Sequence, residues 1–387
     1  MSPRAAILGV GQTAFGKRPE TRPEDMVHEA VRAAIADAGI EFGAIEAVFA
    51  GSVQLHGGVG QRCVKELGLL GIPIVNVENA CSSGSTALRE AYAWVAAGFA
   101  DVALAFGVEN LSRSLAATGG RLVLDDIDEP LGSGMGMVLP GLYALEATQY
   151  LHEHNAPVEA IARVSVKNRF NAARNPLAHQ RKEVALAEVL ASKMICEPLT
   201  LLECCPNSDG AAAIIIASEA AARRLRHRND VWLVASAMSS GHFVDRISHA
   251  EHVTQRVAAL AYKRAGITPQ DVDLVELHDA FAIAELLYIE QLGLAPAGTA
   301  WKGMLDGAYE LSGKVAVSPG GGLIGRGHPM GATGVAQACE VTWQLRGDAG
   351  NRQVRDARIG LTHTMGGNQF DLESNACIVS VFMRGAA

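Results

Sequence analysis

Apolar positions along the chain change period repeatedly, and each change marks an element. Near the N-terminus "AAILGV" is a short apolar run closed by glycine and reads as a first strand. From Glu29, "EAVRAAIADAGI" spaces its apolar residues three and four apart, which predicts an amphipathic helix. "IEAVFAG" follows as a β-rich run. The same order returns as "RVAALAYKRAGI" and then "VDLVELH". "PIVNV", "AAAIIIAS", "KVAVS" and "RIGLTH" read as further strands, and "STALREAYAWVAAG" as a helix.

The returning order is a repeat. Ala38-Gly39-Ile40 aligns with Ala265-Gly266-Ile267, and at the same offset Ile45 to Gly51 aligns with Val272 to His278 without a gap. "IPIVNVENACSSGSTALREAYAWV" and "KVAVSPGGGLIGRGHPMGATGVAQACEVTWQL" share strand, small-residue turn and helix, the second with a longer glycine loop. A repeat far longer than a solenoid unit implies a duplicated domain related by a pseudo-twofold axis. Strand and helix alternate in each half, so the fold class is α/β and layered. The boundaries expected are an N-terminal half at 1–111, a loop region with a return strand at 112–228, and a C-terminal half at 229–387. "GGRLVLDDIDEPLGSGMGMVLPG" reads as an inserted loop covering a site.

Composition narrows the function. Of 387 residues, 49% are hydrophobic and 19% charged, enough apolar mass for a large core. Net charge is −8 and no basic cluster stands out, which argues against nucleic-acid binding; "ARRLRHRND" reads as a solvated helix end. The seven cysteines are odd in number, irregularly spaced and form no C-x-x-C pair. That argues against a disulfide scaffold and against a metal site, and for a reducing, cytoplasmic setting. No apolar run is long enough to span a membrane, and the N-terminus lacks the pattern of a signal peptide.

Four stretches carry candidate chemistry. Cys81 stands between the strand "PIVNV" and a helix, where the macrodipole and unpaired N–H groups favour thiolate. Strand, sharp turn, nucleophile and helix is the arrangement of a nucleophile elbow. His278 ends the run "LVELH", and strand ends are where α/β folds build sites. "SPGGGLIGRGHPMGATG" adds His328 in a glycine-rich loop, with no phosphate-binding G-x-x-x-x-G-K-[ST] pattern. "THTMGGNQ" ends a strand on glycines whose N–H groups, Gly366 above all, can face a carbonyl oxygen. One thiol, two histidines and a glycine donor suit acyl transfer through a thioester.

Here the sequence resembles the thiolase superfamily over essentially its whole length. "NACSSGSTAL" resembles the nucleophile motif, and "GRGHPMGATG" resembles Gly-His-Pro-x-Gly-x-(Ser/Thr)-Gly. "HDAF" replaces Asn-Glu-Ala-Phe, as in sterol-carrier-protein-type thiolases, and "LLECCPNSDGAAA" resembles the same subgroup, which implies structural roles for Cys204 and Cys205. The resemblance implies a five-layered αβαβα fold, usually dimeric, with a loop domain that binds coenzyme A as cosubstrate. Cys81 would be acylated, His328 would take its proton, and His278 with a water would polarise the thioester carbonyl. Cys81 and Gly366 would supply oxyanion-hole N–H groups. Met137, Ser318 and Gly320 would meet coenzyme A. Substrates would be 3-oxoacyl-CoAs, often bulky, branched or aromatic, and a small zinc-ribbon/OB-fold subunit would be a partner.

Two departures matter. The second thiolase cysteine opens Cys-x-Gly-Gly or lies inside His-Asp-Cys-Phe; those positions hold Thr364 and Ala280. Claisen chemistry needs a group to protonate the departing carbanion. His363 is the nearest candidate and His56 a weaker one. A decarboxylative condensing enzyme would dispense with that group, and a non-catalytic acyl-CoA- or lipid-binding subunit would dispense with chemistry altogether.

Overall fold

The two Ala-Gly-Ile matches end helices for the same reason. Gly39 (φ 62°) and Gly266 (φ 70°) take the left-handed conformation that closes a helix C-terminus and costs glycine least. The computed structural model describes residues 4–55, 57–117, 138–225, 230–242, 251–367 and 374–385. Its strands are β1 (Ala5–Gln12), β2 (Ala47–Gly51), β3 (Ile74–Val77), β4 (Val102–Asn110), β5 (Met194–Cys196), β6 (Leu199–Thr200), β7 (Asp209–Ala217), β8 (Val231–Ser239), β9 (Leu274–Glu276), β10 (Ala316–Val317), β11 (Ile359–Gly366) and β12 (Ala376–Arg384). Its helices are α1 (Pro23–Ala38), α2 (Val59–Lys65), α3 (Ser83–Ala96), α4 (Leu111–Ala117), α5 (Leu139–His154), α6 (Val158–Ala173), α7 (Leu186–Leu190), α8 (Glu219–Arg224), α9 (Val253–Ala265), α10 (Ala282–Gln291), α11 (Ala300–Leu305), α12 (Gly322–Arg326) and α13 (Met330–Arg346).

All strands but β5 and β6 join one sheet, ordered β10-β9-β11-β12-β8-β1-β7-β4-β2-β3. Outward from the β8–β1 junction the two sides match. β12 and β7 are antiparallel to their neighbours on both flanks, then β11, β9 and β10 run parallel, as do β4, β2 and β3. The repeat read in the sequence is this symmetry, and Ala5 opposite Leu233 and Ala6 opposite Trp232 join the halves.

Successive residues of β1 divide between two cores, as a period of two requires. Ala6 and Leu8 pack with Val27, Ala30 and Val31 of α1. Ala5 and Ile7 pack with Leu88 and Ala91 of α3 and Val335 of α13. In the C-terminal half, Val257 of α9 and Ile283 of α10 cover Leu361, Val379 and Val381. α3 and α13 therefore form the middle of five layers. They cross on bare backbone: a Cβ on Gly84 would stand 2.6 Å from the Gly331 carbonyl oxygen.

The middle segment is divided between the halves. β7 returns to the N-terminal half between β1 and β4, whereas Tyr143, Ala147 and Tyr150 of α5 and Ile161 and Val164 of α6 pack into the C-terminal core. Much of the inserted loop, with Met137, lies outside the described residues, and so does His56.

Candidate active site

β3 delivers the chain to a tight turn at Asn79-Ala80 before α3 begins at Ser83. Ala80 has φ 46°, a conformation that costs a residue with a side chain about 1–3 kcal/mol and persists only when surroundings impose it. Ser83 imposes it twice: Oγ accepts from Asn79 N at 2.9 Å and donates to Ala80 O at 2.7 Å. Glu78 Oε1 accepts from Ala80 N at 2.6 Å. This turn sets Cys81, half-buried, just ahead of the helix. Gly366 closes the turn from the end of β11, where a Cβ would stand 2.3 Å from Asn79 O and 3.0 Å from Ser82 Oγ. Only glycine brings its backbone so close to the turn that carries Cys81.

His278 leaves the end of β9, and His328 precedes Pro329 and α13. Their rings lie 5.2 Å apart at 83°, and the Cys81 Sγ and one nitrogen of each ring fall within 4.8 Å of one another. Burial keeps both imidazoles neutral: it pushes His278 down to about 3 and His328 well below the ordinary histidine value. The network also fixes a tautomer. Thr333 Oγ1 donates its one proton to Pro329 O at 3.0 Å, so the 2.7 Å contact with His328 Nδ1 has the histidine as donor. His328 Nε2 is thus a bare lone pair, buried and without a protein partner. A neutral imidazole with such a lone pair can accept a proton, and one nitrogen of this ring lies within 4.8 Å of Cys81 Sγ.

Cysteine with two imidazoles is also a donor set that zinc accepts. Metal-bound histidines usually donate their second nitrogen to an orienting partner. Neither nitrogen of His278 has a protein hydrogen bond among the described residues, and His278 Nδ1 is buried. The site suits proton transfer better than metal.

Buried charge holds the two histidines in place. Glu276 and Arg326, each two residues before its histidine, are wholly buried and pair at 3.0 Å. Asp279 Oδ1 accepts from Leu323 N at 2.7 Å at the start of α12. α6 supplies a stripe that the sequence analysis missed. Asn168 donates to Asp279 at 2.7 Å, Asn171 to Ser318 O at 3.0 Å, and Asn175, just beyond the helix, to Gly320 O at 2.9 Å. Asparagines three and four apart, in "KNRFNAARN", were the available signal.

Three expectations need correcting. Ser318 and Gly320 do not face coenzyme A: Ser318 is fully buried, and Gly320 N donates to Glu276 at 2.7 Å. The glycine loop makes room for protein instead; a Cβ on Gly322 would stand 2.1 Å from the Asp279 carboxylate. His363 lies on the wrong face of β11. Its Nε2 contacts Thr254 Oγ1 at 3.2 Å and its ring packs against Tyr288 at 4.5 Å. Alternation along the strand puts Thr364 on the Gly366 side, toward the turn that carries Cys81.

This constellation agrees with comparison to known proteins. Residues 5–220 match the family model "Thiolase, N-terminal domain", and 235–378 match "Thiolase C-terminal domain-like". The chain belongs to the thiolase family. It is 40% identical to the acetyl-CoA acetyltransferase of Methanothermobacter thermautotrophicus, over 94% of this chain and 96% of that one. It is 38% identical to the benzoylsuccinyl-CoA thiolase subunit BbsB of Thauera aromatica (93% and 94%), and 37% to sterol carrier protein 2 of Gallus gallus (95% and 70%). Among solved structures, the Ltp2-ChsH2(DUF35) aldolase superposes with TM-score 0.81 at 24% identity, covering 99% and 98%, and human mitochondrial 3-ketoacyl-CoA thiolase with 0.73 at 17%, covering 99% of each. This thiolase is an acyl-CoA acyltransferase by family. Among its described residues no helix is long and apolar enough to cross a membrane.

The neutral histidines predict acid sensitivity. Burial holds His278, His328 and His363 below their unfolded value of about 6.5. Their contribution is therefore complete above about pH 6.5 and is lost as pH falls toward the folded values. With all three silent in the fold, the histidines alone lower stability by up to about 4 kcal/mol per pH unit well below pH 6, while Glu109, pushed up to about 7 by burial, and Glu276 and Asp279, raised likewise, take up protons in the fold over the same range and oppose that loss. The histidine part is read by difference: in urea unfolding at pH 7, 6 and 5, His363→Leu should reduce the acid-induced loss by up to about 1.4 kcal/mol per pH unit, and an unchanged pH dependence would refute it.

Proposed function

We propose that the chain cleaves a 3-oxoacyl-CoA with coenzyme A, or runs the reverse Claisen condensation, through an acyl-Cys81 intermediate. The observation that carries this reading is the triangle of Cys81, His278 and His328, together with a His328 Nε2 left as a bare lone pair. His328 takes the Cys81 proton, and the thiolate attacks the keto carbon. His278, neutral, polarises the thioester carbonyl through a water, and the backbone N–H groups of Cys81 and Gly366 hold the oxyanion on the acyl carbonyl. The names of two relatives, a benzoylsuccinyl-CoA thiolase subunit and sterol carrier protein 2, support a bulky, branched or aromatic acyl group. A homodimer is the proposed core, with a small zinc-ribbon/OB-fold protein as further partner. A solved structure of the same fold whose title pairs Ltp2 with ChsH2(DUF35) supports a second component.

Intact-protein mass spectrometry after incubation with a panel of acyl-CoAs and 3-oxoacyl-CoAs tests this. An acyl adduct mapped to Cys81 is expected, and its mass identifies the preferred acyl group. Carbon dioxide release from a malonyl thioester, without cleavage of 3-oxoacyl-CoAs, would favour decarboxylative condensation instead.

A further inference from the structure

Thiolysis leaves an electron pair on the carbon α to the departing thioester, and something must protonate it. Ala280 carries no proton to give. The Thr364 hydroxyl is buried without a partner and is far too weak an acid. His363 is held on the other face of its strand. The segment from Cys204 to Ser208 passes between the two catalytic histidine segments. Cys204 bridges Phe281, Cys205 N donates to Ala280 O at 2.9 Å, Asn207 bridges His328, and Ser208 Oγ accepts from His328 N at 3.3 Å. Cys205 is thus fixed beside the position where the family's cysteine is missing. Its side chain is half-buried, as is that of Cys81. Cys204 is occupied elsewhere, donating to Thr200 O at 3.4 Å. Tyr143 lies 4.6 Å from the Phe281 ring, and its hydroxyl is within electrostatic reach of both Cys81 and Cys205. Partnerless polar atoms of buried side chains collect around this space: His278 Nδ1, His328 Nε2 and Thr364 Oγ1.

We infer that Cys205 is the second acid/base of this site, taking over from the cysteine absent at Ala280 and Thr364. The assignment rests on the thiolase reading above. Cys81 thiolate, its proton on His328, adds to the keto carbon. The bond between the keto carbon and Cα breaks and its electron pair goes to Cα. Cys205 S–H protonates Cα, and the shortened acyl-CoA leaves. The Cys205 thiolate then takes the proton of coenzyme A, whose thiolate attacks acyl-Cys81 and restores the Cys81 thiolate. Burial, reinforced by Cys81, holds the Cys205 thiol well above the ordinary value, so it keeps its proton while Cys81 is charged. Acylation removes that neighbouring charge at the moment Cys205 must carry one.

The test separates carbanion chemistry from acylation. Wild type, Cys205→Ala and Cys204→Ala are compared with acetyl-CoA, acetoacetyl-CoA and an aromatic 3-oxoacyl-CoA. Acylation of Cys81 by an acyl-CoA reverses the last step, and there Cys205 protonates only a departing thiolate, which is a stable leaving group, so Cys205→Ala should lose at most about tenfold in acylation. Cleavage of the 3-oxoacyl-CoA, and exchange of acyl-CoA α-hydrogens with D2O, should fall about 10²–10⁴-fold. Cys204→Ala should match wild type in both. Adding Thr364→Cys to Cys205→Ala should restore cleavage at least tenfold. Near-normal cleavage by Cys205→Ala overturns the inference, as does equal loss of acylation and cleavage. Absence of any acyl-Cys81 in wild type overturns the thiolase reading and this inference with it.

Discussion

Cys81→Ala is expected to lower kcat for 3-oxoacyl-CoA cleavage by at least about 10⁴-fold, with the fold intact. Removing a nucleophile costs orders of magnitude because no neighbour can replace the covalent step. Here the neighbours are two neutral imidazoles and a glycine backbone, and Cys205 is assigned to a different atom of the substrate. Stability should scarcely change. Cys81 is only half-buried, and the turn is held by Ser83, Glu78 and Gly366 rather than by the thiol. Cys81→Ser is the sharper variant: it keeps a proton for His328 to remove, yet its hydroxyl is a far weaker acid than a thiol. It should cleave as poorly as the alanine variant. Steady-state cleavage with unchanged urea midpoints would check both. A residual rate above about 1% in Cys81→Ala would remove acyl-Cys81 from the mechanism.

Much of the architecture was legible because it is periodic. The matched Ala-Gly-Ile segments announced the duplication, and the sheet order repeats it strand for strand. Cys81, His278 and His328 were legible because each stands where a strand pattern yields to a helix pattern. What stayed hidden depends on contacts between distant segments. Glycines in a loop look alike whether they admit a ligand or a carboxylate, so Gly320 was assigned to coenzyme A when Glu276 fills that space. Ser318 followed the same misreading. His363 was judged by its distance along the chain from Thr364, whereas a strand sends adjacent side chains to opposite faces. Cys205 was set aside as structural because nothing in its own segment shows that Ala280 lies against it.

The second large effect concerns stability at the same site. Glu276→Ala should destabilise the fold by about 3–5 kcal/mol, since it leaves Arg326 charged, wholly buried and unpaired. Arg326 has little else: Nη1 reaches Ala336 O at 3.5 Å, while Nε and Nη2 have no partners. The pair is not itself a strong stabiliser. Burial pushes Glu276 above the ordinary carboxyl range in spite of the cation beside it. Replacing both partners by apolar residues, Glu276→Leu with Arg326→Met, should therefore recover most of the lost stability in urea unfolding. Activity should not recover with it. Glu276 also accepts from Gly320 N, and the pair ties the end of β9 to the loop before His328, so it sets the spacing of the two imidazoles. A stable double variant with kcat reduced tenfold or more would show that the buried charges are kept for alignment. Full activity in that variant would reduce them to packing.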